Sequence, residues 1–248
     1  MKKILFIFLV LVTEIFSADI KHIKICAGAG LIKPINEIVK NFENENNAVI
    51  DIHYGGSGEL FSILQTNGCD VFIPGAYYYT KEALNKNLVY KKSVKIITKH
   101  IPVLVVQKGN PKNIHTLKDL TRPDIKIILG DPRATAIGKV SIKILKKNNL
   151  YKNVKKNIAM YAGTVNQLLI YMVMGQADAA IMWEDMVSWA KQKGKLEVIK
   201  IPENENIIKT IPTAVGTICK NKKLANKFNN YLSSGKSKQI WKKWGFEI

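Results

Sequence analysis

The stretch Tyr54-Gly55-Gly56-Ser57-Gly58-Glu59-Leu60 decides the fold, because it joins a strand-like run at residues 48–54 to an apolar-periodic run at 59–66. It reads as a strand, a glycine-rich turn carrying one hydroxyl, and a helix. Such a turn suits an anion. Glycines let the backbone come close, the first helical amides lack partners, and the helix dipole favours negative charge there. Ala27-Gly28-Ala29-Gly30-Leu31 repeats the setting, after a strand at 20–26 and before a helix at 34–45 in which Ile35, Ile38, Val39 and Phe42 fall at helical spacing. One such loop is ordinarily a tight turn; two of them early in a very basic chain point to a binder of a small oxyanion.

Outward from these loops, strand-like runs at 70–73, 94–97, 101–106, 126–129, 179–182 and 211–219 alternate with helical stretches at 80–87, 117–120, 140–148, 165–174, 224–233 and 237–244. The alternation predicts an α/β fold of βα units with mostly parallel sheets. The 248 residues suffice for one large core or two of about 100–150 residues each. The order of elements predicts two lobes, the first from 19–100 and 211–248, the second from 101–210. Ligands of open α/β sheets bind beyond the carboxyl ends of the strands, so loops of both lobes would surround a ligand in the cleft between them.

Residues 1–18 read as a secretory signal peptide: Lys2 and Lys3, an apolar run at 4–12, then Ser17 and Ala18 before Asp19. The run is shorter than the roughly 20 residues that span a bilayer, and no cysteine follows closely enough to take a lipid. A soluble protein exported to a periplasm is expected. Lys and Arg number 38 against 19 Asp and Glu, a net charge of +19. Beyond the signal, 36 basic side chains face 18 acidic ones, a field that draws anions inward. The lysines are spread along the chain without a basic helix or a nucleic-acid motif, so nucleic acid is not an expected partner.

Three cysteines, Cys26, Cys69 and Cys219, cannot all pair within one chain. One disulfide is possible, yet each lies in or beside an apolar run, where free cysteine serves as a small buried hydrophobe. Their spacing, and that of His22, His53, His100 and His115, fits no metal motif. Neither a free metal cation nor a cofactor is expected.

Two further loops sit in the second half. The run 126–129 enters Gly130-Asp131-Pro132-Arg133-Ala134-Thr135-Ala136-Ile137-Gly138, and Ala162-Gly163-Thr164-Val165 places a good N-cap, Thr164, before the next helix. Four helix starts, two from each lobe, could converge on one dianion, where main-chain donors solvate charge without a counter-ion. Arg133 either contacts that anion directly or pairs with Asp131.

With these pieces in this order, followed by Gln176-Ala177-Asp178-Ala179-Ala180 and the ending Trp244-Gly245-Phe246, the chain resembles the periplasmic molybdate-binding proteins of ABC transporters over residues 19–248. The resemblance implies a two-lobed type II periplasmic-binding fold that closes on molybdate or tungstate and passes it to an inner-membrane permease; a monomer is expected. It implies Ser57 as a hydroxyl and amide ligand, and Ile137 and Val165 as main-chain donors. The family's first-loop serine falls on Gly30, which keeps an amide ligand but loses the hydroxyl. Its late tyrosine falls on Trp183, which offers an indole N–H but not in the same place. Both are counted among the ligand-binding residues, with two hydroxyls missing. Ala29, Gly58, Ala136, Thr164 and Arg133 are secondary candidates. Glu184 and Asp185 read as added carboxylate ligands, as in related tungstate binders, or as a solvated pair beside the hinge. Adjacent tyrosines bind ferric iron in a sister family, but Tyr77-Tyr78-Tyr79 follows an early strand with no carboxylate or histidine suitably spaced, so loop packing is expected of it.

Two other readings stand beside this one. The lost hydroxyls would suit another anion, such as thiosulfate, phosphate or a small phosphorylated or carboxylated organic acid. An enzyme on the same architecture would need a nucleophile paired with a base, and no such pair stands at suitable spacing. Export and charge are also compatible with a surface antigen.

Overall fold

A computed structural model describes residues 21–66, 68–191 and 194–248. The expected signal segment at 1–18 lies outside them. The chain opens with β1 (Lys21–Gly28), α1 (Ile32–Asn46), β2 (Ala48–Gly55), α2 (Ser57–Thr66), β3 (Val71–Ile73), α3 (Tyr77–Asn85) and β4 (Lys95–His100). It continues through β5 (Pro102–Gln107), β6 (Ile127–Gly130), α4 (Ala136–Lys147), α5 (Tyr151–Val154), β7 (Ile158–Ala162), α6 (Val165–Val173), β8 (Ala179–Trp183), α7 (Glu184–Lys191) and β9 (Leu196–Lys200). It ends with β10 (Lys209–Val215), α8 (Lys222–Tyr231) and α9 (Gly235–Lys243).

The strands form two five-stranded sheets, ordered β2-β1-β3-β10-β4 and β7-β6-β8-β5-β9. Both are mixed, with four of the five strands running one way, as a mostly parallel sheet requires, and one reversed. β1 runs parallel to β2 and β3, and β6 to β7 and β8, whereas β10 and β5 run antiparallel to both of their neighbours. The reversal has a topological cause. β5 and β10 are the strands by which the chain passes from one sheet to the other, so they enter at the edge where the βα strands of their sheet end.

The hydrophobic cores keep the same partition. One cluster, including Leu104, Ile128, Leu145, Leu168 and Ile181, draws only on residues 103–201 and covers the second sheet. Two others cover the opposite faces of the first: Ile35, Ile38 and Phe42 of α1 pack with Phe228 and Trp241, while Leu60 and Leu64 of α2 pack with Phe72 and Ala83. The apolar spacing of α1 therefore does what its sequence predicts. Asn47, left-handed at φ 44°, ends that helix and turns the chain into β2.

Two aspartates repeat one job in the two halves. Asp70 accepts from the Lys24 amide at 2.7 Å and its own amide donates to the Lys24 carbonyl, holding β3 in register with β1. Asp178 does the same for β8 and β6 through Lys126.

Cys26 of β1 is bonded to Cys69, 43 residues later and just before β3, with Cα atoms 5.8 Å apart. These two are thus a cross-link and not the free buried thiols their apolar settings suggest; only Cys219 is free, and it is buried. Strands at 158–162 and 196–200 and the helix at 184–191 go beyond the sequence reading, and α4 starts four residues before the periodic run at 140.

Closing a loop of this length stabilises a fold by about 2–4 kcal/mol. Reduction, or Cys26→Ser with Cys69→Ser, should lower unfolding stability by that order in urea titrations. The Cys219 thiol is pushed up to about 12 by burial and the neighbouring Asp70 carboxylate. It should resist alkylation at pH 8 in native protein and react once the chain is unfolded.

Candidate anion site

Strand register places the loops. β1, β2 and β3 are mutually aligned, so their carboxyl ends at Gly28, Gly55 and Ile73 share one edge. Lys209 opposite His100 puts the end of β4 at that edge too. In the second sheet Gly130 lies opposite Ala162, and the start of β5 at Pro102 lies opposite Trp183. The chain crosses between the sheets at Ile101, where both sets of loops emerge. The four predicted loops thus come out on the crossover side of their sheets.

Each loop leads into helical backbone whose first amides lack intrahelical acceptors. At α4 the Thr135 hydroxyl caps the third position, accepting from Gly138 at 3.0 Å. At α6 Thr164 does the same for Gln167 at 3.1 Å. The amides of Ala136 and Ile137, and of Val165 and Asn166, have no hydrogen-bond acceptor among the described residues. Ile137 has a fully buried side chain, so only its main chain can face a ligand. At α2 the Leu60 amide donates to Gly56, which makes Gly56 the N-cap and leaves the Ser57 and Gly58 amides open. Gly30 sits in a single 3-10 turn, Ala29–Leu31, exposed like Ala29.

Glycine is required where backbones meet. A Cβ on Gly138 would collide with the Gly130 carbonyl and with Asp131, because α4 packs its first turn onto the loop that precedes it. Asp131 ties this loop to the next, its amide donating to Ala162 at 2.8 Å. In the first sheet a Gly28 Cβ would lie 3.3 Å from the Gly75 amide nitrogen, and that amide donates to Ser57 Oγ at 3.1 Å. The Ser57 oxygen is thereby used as an acceptor, and its proton makes no bond among the described residues.

The remaining candidates divide. Arg133 is committed to Asp131: the guanidinium meets both carboxylate oxygens at 3.3 and 3.1 Å, and the Arg133 amide meets one at 2.7 Å. Its proximity holds the Asp131 carboxyl below the usual range. Trp183 is 6 % exposed, its ring 5.0 Å from that of His100. Asp185 is buried and bonded to His100 at 2.9 Å, and the Glu184 amide donates to Ile101. These residues stand at the crossover, with His100 from the first sheet and Trp183 and Asp185 from the second. Asp185 thus stands at the crossover, enclosed instead of solvated. Tyr77, Tyr78 and Tyr79 form the first turn of α3.

Two contributors escaped the sequence reading. Gly75 belongs to a third loop of the first sheet, and nothing in Pro74-Gly75-Ala76 marks it as a partner for Ser57. Glu59 folds back to accept from Gly56 at 3.2 Å and from His53 at 3.0 Å, both of which hold its carboxyl low, the His53 bond foremost. A glutamate three residues after an N-cap is the capping-box spacing, and that signal was present in the sequence.

Across residues 23–247 the sequence matches the model of the bacterial extracellular solute-binding proteins. The chain belongs to that family. Among its relatives, a "putative binding protein" of Haemophilus influenzae is 29% identical over 204 residues, covering 82% of this chain and 81% of that one. The molybdate-binding protein ModA of Mycobacterium tuberculosis is 25% identical over 230 residues, 91% of this chain and 84% of its own. The substrate-binding domain of a putative molybdenum ABC transporter from Clostridium difficile superposes with a TM-score of 0.81 at 24% identity, covering 91% of this chain and 98% of that domain. This last likeness establishes the type II periplasmic-binding fold.

Gly138→Ala should cost about 1–3 kcal/mol, the usual range for overpacking, by forcing α4 off the Gly130–Asp131 loop. Urea denaturation of the variant checks this, and an unchanged midpoint would show that the close approach is not rigid.

Proposed function

We propose that this solute-binding protein captures a tetrahedral oxyanion, molybdate or tungstate, and delivers it to the permease of an ABC transporter after export to the periplasm. In this reading 19–100 with 211–248 and 101–210 are two lobes, and the anion lies between them. One observation carries it: uncommitted helix-start amides from both sheets, joined by a Ser57 hydroxyl whose oxygen is already bonded to Gly75, leaving its proton to donate. Gly30, Ser57, Ile137 and Val165 are the main donors, with Ala29, Gly58, Ala136 and Thr164 flanking them. Trp183 closes the crossover end. Arg133, held by Asp131, keeps positive charge at the rim.

A cage of donors favours a fully ionised anion, since a protonated phosphate would bring a hydrogen that needs an acceptor. Sulfate has the right charge but shorter bonds, and it would be loosely held in a cage set for molybdate. The ModA relative and the C. difficile domain, by their descriptions, lend weight to molybdenum. Binding and not turnover is the expected activity, because Ser57 has an amide as its partner and no base within the described hydrogen bonds. A second reading is favoured by open space: a Cβ at Gly30 or Gly56 would meet nothing within 4 Å. That space suits an anion carrying an organic substituent.

Calorimetry of the protein against molybdate, tungstate, sulfate, thiosulfate, phosphate and a small phosphorylated acid separates the readings. Tight binding of molybdate or tungstate alone is expected, and equal affinity for sulfate would overturn it. Ser57→Ala should weaken the best ligand about 10- to 100-fold, since a hydrogen bond to a charged group contributes about 1.5–3 kcal/mol.

A further inference from the structure

We propose that Tyr79 is a specificity-determining contact, its phenolic hydroxyl acting as a second side-chain donor beside Ser57; this rests on the oxyanion site proposed above. The starting point is a deficit. The positions where the family resemblance implies further hydroxyls hold Gly30 and Trp183, and Trp183 is buried against His100.

The structure brings a different hydroxyl to the first turn of α2. Tyr79 Oη lies 3.2 Å from where a Cβ on Gly58 would stand, so it rests against the second residue of α2, next to the open amides of Ser57 and Gly58. Among the described residues that hydroxyl makes no hydrogen bond, although the residue is half-buried. A phenol in such a position ordinarily finds a partner. Its ring is fixed on two sides, by Phe61 at 5.9 Å and by Tyr78 at 5.2 Å edge to face. The helix that carries it is also fixed: the Gly75 amide just before α3 donates to Ser57 Oγ, and Gly28 packs on Gly75. The three loops of the first sheet are therefore one unit, and Ser57 and Tyr79 are the hydroxyl side chains it brings to the first turn of α2.

This arrangement also explains the glycine at position 58. At 3.2 Å an added methyl would press on the phenol and displace it. A rigidly held neutral donor stabilises a dianion without a counter-charge, and the ring contacts fix the side of α2 from which it can reach one. Selectivity between molybdate and sulfate would then depend on Tyr79 as well as on the cage of amides.

The test is calorimetry of the intact protein and of Tyr79→Phe, Tyr78→Phe and Ser57→Ala, each titrated with molybdate and with sulfate, with urea denaturation of each variant alongside. Tyr79→Phe keeps the ring and removes only the hydroxyl. It should weaken molybdate about tenfold and reduce the molybdate-to-sulfate ratio at an unchanged denaturation midpoint, while Tyr78→Phe binds as the parent does. Parent-like affinity in Tyr79→Phe, with Ser57→Ala weakened, would overturn the role of Tyr79 and leave the site standing. A parent protein that binds neither anion, or a Ser57→Ala variant that binds normally, would overturn the site reading and this inference with it.

Discussion

The first two amides of an α-helix have no acceptor within that helix. Left against solvent they cost nothing; turned inward without a partner they would be expensive. This chain directs helix starts toward the crossover side of two sheets and spends its capping side chains elsewhere. Thr135 and Thr164 reach past the first positions to the third, and Glu59 turns back to Gly56. The donors that remain are the ones the proposed anion would use, and the glycine contacts at 28 and 75, and at 130 and 138, let the loops within each half pack closely.

Much of this was legible in the sequence. The glycine-rich loops carry a local signal, since strand, small-residue turn and helix lie within a dozen residues, and all four fell where read. The boundary between the sheets was legible because 101–106 is a strong apolar strand beginning directly after another. β7 and β9 were not, being short strands at the outer edges of the second sheet with only partly buried faces. The direction of β5 and β10 was hidden as well, because strand polarity is a property of the crossover and leaves no mark on residue type.

Contacts across long separations were the least readable. The sequence gives Cys26 and Cys69 the look of core residues, and pairing depends on β1 lying beside β3. The bond from Gly75 to Ser57 and the approach of Tyr79 to Gly58 need the same adjacency. At the crossover, His100 meets Asp185 and Trp183 across 85 and 83 positions of sequence, joining the two sheets through a buried polar pair. The Ser188 hydroxyl, bonded to the Trp244 carbonyl at 3.2 Å, adds the chain's end to the same junction. Buried polar and ring contacts thus tie the end of β4 to β8 and α7 at the point where the chain crosses between the sheets.

The Cys26–Cys69 bond spans the strand that delivers the first loop and the segment that leads to the third. Reducing cytosol keeps thiols open, and disulfides persist in oxidising compartments. The strand beneath Gly28 and the segment that leads to Gly75 are therefore held by a bond that an oxidising compartment keeps closed. In a reducing medium that link opens, and the spacing of the first and third loops is left to the strand ladder alone.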